Sequence, residues 1–536
     1  MATSVDPPVS ISAVLDEPIA HGRGRALLRY AVPGAIALIV IGVGLRFWTL
    51  SDLWLDEALT VNIAKLPLHS IPAALRHDGA PPLYYVLLHF WIRLFGQGDV
   101  AVRSLSGVAS VVALPFAWAA GKRLGGRATA WAALVLMATS PFAISYATSA
   151  RMYSMMTLWG LLGVLALVRA LERPSRGRLA CVALVTAVLL YTHYWALYFV
   201  VVAAIWLLFR ARRATATDER TEAEERRNSR AVFAAMVVGG VMFLPWVPTF
   251  IFQTLHTGTP WSNAAGPADI LGILGEYSGG GYFGGGPWGY ALGLAVFTLV
   301  LLGLFGRTID DRRVLLELRT RRRARPIAWI FMGTLVLAVV AGAIGQAAFV
   351  GRYTAVVFPL FILLAALGAS VFADRRVMAG VLGAAAVAGL IVSVGTNATQ
   401  RTEAGLIANA INKGANPGDL VVYCPDQLGP AVNRLLHAPV DQATFPRAAS
   451  PERIDWVDYR KVISATDAVQ FGQDMVARAG AGHAIWLVYR SGYPGLGRQC
   501  QTLASLFESQ RPNGQMLVAN DGSTYYEHAG VVRFPG

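Results

Sequence analysis

Long apolar runs recur along the first 395 residues and are separated by short polar segments. The first run, Tyr30 to Leu50, is long enough to cross a bilayer as a helix. The later runs cover residues 102–121, 128–147, 152–171, 179–209, 231–252, 289–306, 327–350, 353–372 and 377–395. The pattern predicts an all-α polytopic membrane domain with about eleven transmembrane helices.

The segment Pro82–Phe95 and the run 179–209 allow two topologies. In one topology, Pro82–Phe95 spans the membrane and 179–209 is a single long span. In the other, Pro82–Phe95 lies in the interface and 179–209 forms two short spans joined at residues 192–194. The second topology agrees better with the positive-inside rule, because it leaves GKRLGGR and RPSRGR in the cytoplasm. Both topologies put Asp56 and the C-terminus outside, and they differ on the side of Arg151.

The chain divides into three parts by composition. Residues 1–28 are polar and without periodicity, which predicts a disordered cytoplasmic leader. Residues 29–395 form the transmembrane domain, with a first external loop at 51–81. Residues 396–536 have the composition of a soluble domain.

The soluble part alternates candidate strands and helices. NPGDLVVYC and HAIWLVYR are typical of a turn with a buried strand and of a second strand, while GPAVNRLL and RQCQTLASLFESQ are typical of helices. This alternation predicts a small extracytoplasmic α/β domain. Cys424 and Cys500 both fall in it, and the compartment would permit a disulfide, so pairing and two free thiols both stay open.

Composition agrees with a multi-pass protein of the cell membrane in contact with lipid. The chain has 55% hydrophobic and 15% charged residues, with a mean hydropathy of +0.49. Its formal net charge of +14 comes from basic residues in short loops between apolar runs, so we expect no nucleic-acid partner. No His, Asp or Glu cluster has metal-ligand spacing, and we expect neither a metal nor another cofactor.

Two adjacent carboxylates, Asp56 and Glu57, follow the first predicted span at once. A carboxylate at this place suits a general base that takes a proton from a hydroxyl beside a lipid-borne substrate. We therefore predict both as catalytic residues, with Asp56 as the base and Glu57 orienting a hydroxyl or a neighbouring Arg. The competing interpretation is a solvated pair of loop acids, or an N-cap for the helix starting near Ala58.

Further candidate substrate-binding residues follow the two acids. His77 and Asp78 stand before a Pro-Pro step and can bind substrate hydroxyls, while Tyr84 can line a substrate pocket. A turn followed by an interfacial helix explains the same residues without a ligand.

Cations and a histidine interrupt the apolar runs further along the chain. Arg151 and Arg352 are costly at membrane depth unless they are paired, which predicts a phosphate partner, whereas snorkelling to the interface is the alternative. His193 is either a site residue or one side of a helix–helix hydrogen bond.

Glu276 and Tyr277 precede a glycine run that is either a lid over the site or a plain connector.

The motifs LWLDEA, HDGAPPLYYVLLHFWIRLFG, VRSLSGV, SARMYSMMTL, YTHYWALYF and GRYTAVVFPLF occur in this order over residues 30 to 375. Together they resemble glycosyltransferase family 39 of the GT-C superfamily, which includes protein mannosyltransferases and lipid A aminoarabinose transferases. The resemblance implies an inverting transfer from a polyprenyl-phosphate sugar, with the acid of the first external loop as base. Asp56 matches that acid. The tail from 396 matches no such family. Of the two topologies above, the first resembles these related enzymes more.

The expected activity is transfer of a sugar to an envelope glycolipid, polysaccharide or protein on the outer face of the membrane. Mannose is the first candidate for the sugar, and arabinose or another pentose is the alternative. A flippase or transporter of lipid-linked sugars is the competing class, but the chain shows no internal repeat of the transporter kind.

Overall fold

The structure is a computed structural model that describes residues 23–212, 219–259, 262, 264–280, 286–311, 313–490 and 497–536. The predicted leader lies outside the described residues as far as residue 22, and the first helix already begins at Arg23. Part of the glycine run that follows Tyr277 also lies outside them.

Helices make up nearly all of the membrane domain. In chain order they are α1 (Arg23–Leu45), α2 (Leu55–Ala64), α3 (Ile71–Asp78), α4 (Leu83–Phe95), α5 (Asp99–Thr139), α6 (Pro141–Ala147), α7 (Tyr153–Glu172), α8 (Arg176–Thr192), α9 (Ala196–Arg212), α10 (Glu219–Val241), α11 (Val247–His256), α12 (Ala268–Gly275), α13 (Gly286–Phe305), α14 (Arg325–Ile344), α15 (Phe358–Ala369) and α16 (Arg375–Ala398). A short antiparallel hairpin, β1 (Gly306–Thr308) with β2 (Val314–Leu316), follows α13.

The helical breaks agree with the second of the two predicted topologies. Helix α8 ends at Thr192 and α9 begins at Ala196, so the run 179–209 is two segments. Helix α4 has 13 residues, which gives about 20 Å of length against a hydrocarbon core of about 30 Å. The long helix α5 is broken at Gly125 and Gly126, where Gly126 has a φ of 81°.

With that break counted, the described residues contain eleven helical segments at the positions of the predicted spans. Six stretches are long and apolar enough to cross a membrane on their own: Asp99–Thr139, Tyr153–Glu172, Thr221–His256, Gly286–Phe305, Arg325–Ile344 and Arg375–Ala398. The chain is a multi-pass membrane protein.

Helix α15 is shorter than the sequence predicts and is enclosed by other helices. Its 12 residues are all buried, and it packs closely against α13. A Cβ added at Gly368 would lie 1.7 Å from the carbonyl oxygen of Leu299. Glycine is therefore required where these two helices cross.

The soluble part is an α/β domain, as predicted. Its helices are α17 (Ala404–Gly414), α18 (Gly429–Leu435), α19 (Tyr459–Ala465), α20 (Ala468–Ala479) and α21 (Gln499–Gln510). Its strands are β3 (Leu420–Cys424), β4 (Asp441–Thr444), β5 (Ile485–Tyr489), β6 (Gln515–Val518) and β7 (Gly530–Phe534), in the sheet order β4-β3-β5-β7-β6. Strands β4, β3 and β5 are parallel, and β7 and β6 are antiparallel to their neighbours.

A disulfide joins Cys424 at the end of β3 to Cys500 in α21, which settles the pairing that the sequence left open. The domain rests on the segment of the membrane domain that follows α1. Helix α18 packs on α2, and Arg434 forms an ion pair with Asp99 at 2.9 Å. The backbone N–H of Trp456 donates to the carbonyl of His77 at 3.1 Å.

Candidate active site

Helix α2 carries both predicted catalytic carboxylates in its first turn. It starts at Leu55, directly after the extended residue Trp54 (φ −83°, ψ 173°). Carboxylates in a first turn interact favourably with the positive end of the helix dipole. Since successive side chains on a helix point about 100° apart, Asp56 and Glu57 face different surroundings.

Glu57 is fully buried and held in an ion pair. Its carboxylate accepts hydrogen bonds from Arg103 Nε at 2.8 Å and Arg103 Nη2 at 2.6 Å, and from the backbone N–H of Ala150 at 2.7 Å. Burial alone would raise the pKa of Glu57, but Arg103 and the other donors hold it below its usual value. Glu57 orients a neighbouring Arg and the chain around it, and it does not reach the cavity described next.

Asp56 opens onto a cavity of about 150 Å³. The cavity is lined by Asp56, Leu59, Asp78, Gly79, Ala80, Pro81, Arg151, Met152, His193, Tyr194, Trp195, Gly258, Thr259, Tyr353 and Trp456. The structure thus brings together four predicted site residues that are distant in sequence: Asp56, Asp78, Arg151 and His193.

Arg151 lies at the same end of the helical bundle as Asp56, so the two residues are on the same side of the membrane. Its Nη1 donates to Thr60 Oγ1 at 2.7 Å and approaches the backbone carbonyl of Asp56 at 3.4 Å. Its buried Nε has no hydrogen-bond partner among the residues that the structure describes. Arg151 therefore keeps donor capacity for an anion in the cavity.

Asp78 is held by a tyrosine of the Pro-Pro segment that follows it in the sequence. Tyr85 donates its hydroxyl to Asp78 Oδ2 at 2.7 Å. Burial raises the pKa of Asp78, and the charge of Arg151 opposes this shift. An Asp in this setting is suited to accept hydrogen bonds from sugar hydroxyls.

Two further predicted residues do not line this cavity. Tyr84 is buried behind it and shares a hydrogen bond with Ser106 Oγ at 2.9 Å, while Ser106 donates to the carbonyl of Arg151 at 2.8 Å. His77 has a side chain that is 53% exposed and contacts Asp455 at 2.8 Å. Tyr84 supports Arg151, and His77 joins the two domains.

Arg352 lies in a short 3-10 turn beside the cavity and is buried. Its guanidinium stands 5.4 Å from the ring centre of Tyr353, which lines the cavity, and 5.7 Å from that of Trp54. The carboxylate of Asp56 is close enough to interact electrostatically with both Arg151 and Arg352. The acid thus has two cations nearby.

Glu276 approaches the turn that carries Arg352. A Cβ added at Gly351 would lie 2.0 Å from Glu276 Oε2. Burial raises the pKa of Glu276 to about 7, and Arg352 opposes the shift. The neighbouring Tyr277 is packed against the same turn, because its hydroxyl donates to the carbonyl of Thr354 at 2.7 Å. Whether this segment acts as a lid stays a prediction.

His193 lies in the break between α8 and α9. The backbone N–H of Trp195 donates to His193 Nδ1 at 3.2 Å, so that nitrogen acts as an acceptor. The imidazole ring is 5.2 Å from the ring of Tyr353. With Nδ1 occupied, Nε2 remains to contact a ligand in the cavity.

Sequence reasoning missed three polar residues around Asp56. Arg103 lies in the quoted motif VRSLSGV, and a cation at the start of an apolar run was an available signal. Tyr526 and Glu527 come from the soluble domain, where such residues are common and gave no signal. Within the described residues, no group of three or more His, Cys, Asp or Glu is placed to hold a metal ion.

The fold and this site define a class: a multi-pass helical membrane protein with two acids in the segment after its first helix. A family model described as dolichyl-phosphate-mannose-protein mannosyltransferase matches residues 79–247. A comparison with curated proteins found no match.

Two solved structures share the fold over nearly their whole length. ArnT from Cupriavidus metallidurans bound to undecaprenyl phosphate has a TM-score of 0.57 at 11% identity, covering 94% of this chain and 97% of that one. ArnT in the apo state has a TM-score of 0.56 at 12% identity, with coverages of 95% and 98%. The chain therefore has the GT-C fold, and the resemblance drawn from its motifs is confirmed.

Proposed function

We propose that this chain is an inverting glycosyltransferase that moves a sugar from a polyprenyl-phosphate donor to a cell-envelope acceptor. One observation carries the proposal. The Asp56 carboxylate faces a cavity with two cations nearby and makes no hydrogen bond or ion pair within the described part of the chain. A carboxylate in this state is ready to accept a proton from a substrate.

The chemistry needs one base and positive charge for the leaving group. Asp56 takes the proton of an acceptor hydroxyl while its oxygen attacks the anomeric carbon. The bond between that carbon and the phosphate oxygen breaks, and the lipid phosphate leaves with the electron pair. Arg151 and Arg352 stabilise the phosphate charge, and Asp78 and His193 hold sugar hydroxyls.

The donor assignment has two supports. The ArnT structure of the same fold holds undecaprenyl phosphate, which favours a polyprenyl-phosphate carrier. The matching family model is named for a dolichyl-phosphate-mannose enzyme, which favours mannose over a pentose as the sugar. A glycolipid, a polysaccharide or a protein each remains as acceptor.

We propose that the N-terminus is cytoplasmic and that the soluble domain is extracytoplasmic. Helix α7 runs from Tyr153, close to Arg151 and Asp56, to Glu172 at the other end of the bundle, where Glu172 pairs with Arg123. The basic loops at residues 121–127, 173–178 and 307–325 lie at that other end, and the positive-inside rule puts them in the cytoplasm.

In intact cells, a membrane-impermeant thiol reagent should label Lys461→Cys and leave Leu318→Cys unlabelled. Both positions have exposed side chains. The reverse labelling would contradict the orientation.

The base assignment is tested with Asp56→Asn in the purified protein. Loss of a positioned general base should lower the transfer rate by about 100-fold or more. Asp52→Asn is the matched control, since Asp52 lies in the same loop but faces another cavity. Transfer from a polyprenyl-phosphate sugar at the wild-type rate by Asp56→Asn would refute the proposal.

The phosphate assignment is tested by binding of undecaprenyl phosphate. Arg151→Gln and Arg352→Gln should each weaken binding by about tenfold, because a charge-assisted hydrogen bond contributes about 1.5 kcal/mol or more. Arg123→Gln is the control, since Arg123 pairs with Glu172 at the far end of the bundle. Equal binding by all four proteins would exclude the two cations as phosphate ligands.

A further inference from the structure

The segment before strand β7 reaches from the soluble domain back to the membrane domain. The backbone N–H of Glu527 donates to the carbonyl of Arg401 at 2.9 Å, and Glu403 N–H donates to the carbonyl of Glu527 at 3.1 Å. Arg401 N–H in turn donates to Ser51 Oγ at 2.9 Å. Glu527 is thus fixed against the loop that carries Asp56.

The side chain of Glu527 ends at the first residue of helix α2. Its two carboxylate oxygens lie 3.2 and 3.1 Å from the backbone N–H donor of Leu55. The helix has no side-chain cap of its own, because the N-cap residue is Trp54. A carboxylate at this place satisfies an otherwise unpaired N–H and interacts favourably with the helix dipole.

The neighbouring residue Tyr526 contacts the other side of the site. Its ring centre is 5.3 Å from that of Trp54, whose ring stands 5.7 Å from the guanidinium of Arg352. The far end of α2 is also held, since Asn62 Nδ2 donates to the carbonyl of Glu452 at 2.8 Å. The soluble domain therefore holds α2 at both ends.

We infer that Glu527 is a positioning residue, through which the soluble domain caps helix α2 and keeps Asp56 directed into the cavity. Glu527 does not line the cavity, so it acts through the helix and not on the substrate. The inference deepens the proposed function and rests on it. It also gives the soluble domain a role in the reaction.

The charge of this cap changes near neutral pH. Burial raises the pKa of Glu527 to about 7. Hydrogen bonds from Thr402 and Leu55 and the charge of Arg490 oppose the shift, whereas Asp56 adds to it. Because only the ionised carboxylate balances the helix dipole, the cap weakens as the pH falls through about 7.

The test compares Glu527→Gln with wild type in the full-length protein. Losing the negative charge of the cap should lower kcat by about five- to tenfold. Binding of undecaprenyl phosphate should stay within about twofold, since Glu527 contacts no ligand site. The ratio of the wild-type rate to the variant rate should rise between pH 6 and pH 8, which a structural role alone would not produce.

Glu508→Gln is the matched control. Glu508 caps backbone N–H groups of Asn513 and Gly514 at 3.1 and 3.0 Å in the same domain, away from Asp56. The ratio of the wild-type rate to the Glu508→Gln rate should be constant with pH. If Glu527→Gln fails to fold, Glu527→Asp is the second variant. It keeps the charge on a shorter side chain, so it should lower kcat while retaining the pH dependence.

An unchanged kcat in Glu527→Gln, or a rate ratio that is flat across this pH range, would overturn the inference. That outcome is distinct from failure of the proposed function. If Asp56→Asn is inactive while Glu527→Gln has the wild-type kcat, the positioning role of Glu527 is wrong and the proposed function is unaffected. If Asp56→Asn is fully active, the proposed base itself is wrong.

Discussion

The ion pair between Glu57 and Arg103 gives the most direct test of how the two adjacent acids divide their roles. Glu57 receives three hydrogen bonds at 2.6–2.8 Å and is completely buried. Arg103 also donates to the carbonyls of Ser51 and Asp52 at 2.6 and 3.0 Å. The pair therefore ties the start of α5 to the loop before α2.

Replacing Glu57 by Gln keeps the shape of the side chain but leaves the Arg103 charge buried without its counterion. Breaking a buried pair in this way costs about 3–5 kcal/mol. A double-mutant cycle compares Glu57→Gln, Arg103→Met and the double variant with wild type. We expect it to give a coupling free energy between the two side chains of about 2 kcal/mol or more. The exposed pair Arg123–Glu172 is the matched control, and Glu172→Gln should change stability by less than about 1 kcal/mol.

The assay is unfolding in mixed detergent micelles, followed by the fluorescence of the 14 tryptophans. The pKa of Glu57 is lowered in the folded state, so the pair stabilises the protein above the ordinary value of 4.5 and loses this effect on acidification below it. Wild-type stability should fall in that acid range more than that of Glu57→Gln. A Glu57→Gln protein as stable as wild type but inactive in transfer would refute this reasoning and make Glu57 a participant in the chemistry.

Three other predictions concern residues away from the cavity. Reduction of Cys424–Cys500 should destabilise the soluble domain by about 2–5 kcal/mol, and an unchanged melting temperature in reductant would contradict this. His77→Ala should keep transfer within about twofold, because its ring is largely exposed and contacts Asp455; a tenfold loss would place it in the site. Burial raises the pKa of Asp426 from 3.8 to about 7, so stability should decrease as the pH rises through this range. Asp426→Asn should remove that dependence and melt higher than wild type at pH 8, and a lower melting temperature there would show the charge to be favourable.

The membrane helices were predictable because lipid demands long apolar runs whatever the tertiary contacts. Helix α15 shows where this reasoning stops. Its sequence is as apolar as a lipid-facing span, yet all of its residues are buried and only 12 are helical. Hydropathy measures the free energy of moving a side chain out of water. It does not show whether that side chain then contacts lipid or other helices of the protein. The apolar run 353–372 therefore did not show that the residues at its start belong to the 3-10 turn that carries Arg352.

The site was partly predictable for a related physical reason. Arg151 and His193 stand out because polar groups are costly at membrane depth, so each needs a partner or a ligand. Asp56 stands out by its place directly after the first predicted span. The sequence predicted Asp56 as the base and Glu57 as orienting a hydroxyl or a neighbouring Arg. It did not identify Arg103 as that neighbour, since only the phase of α2 decides which carboxylate meets it. Glu527 was not predictable either. Its role depends on a contact across 472 positions of the chain, and no local pattern records such a contact.

The distribution of hydrogen-bond donors around α2 argues for a single base. Glu57 is held by Arg103, Asp78 by the Tyr85 hydroxyl, and Glu527 by the first N–H of the helix. Asp56 is the carboxylate of this group that makes no hydrogen bond or ion pair with a described residue, although two guanidinium groups lie near it. A purely structural acid in such surroundings would gain free energy by pairing with one of them. Its carboxylate oxygens therefore remain available for a substrate hydroxyl, as the proposed role of a general base requires.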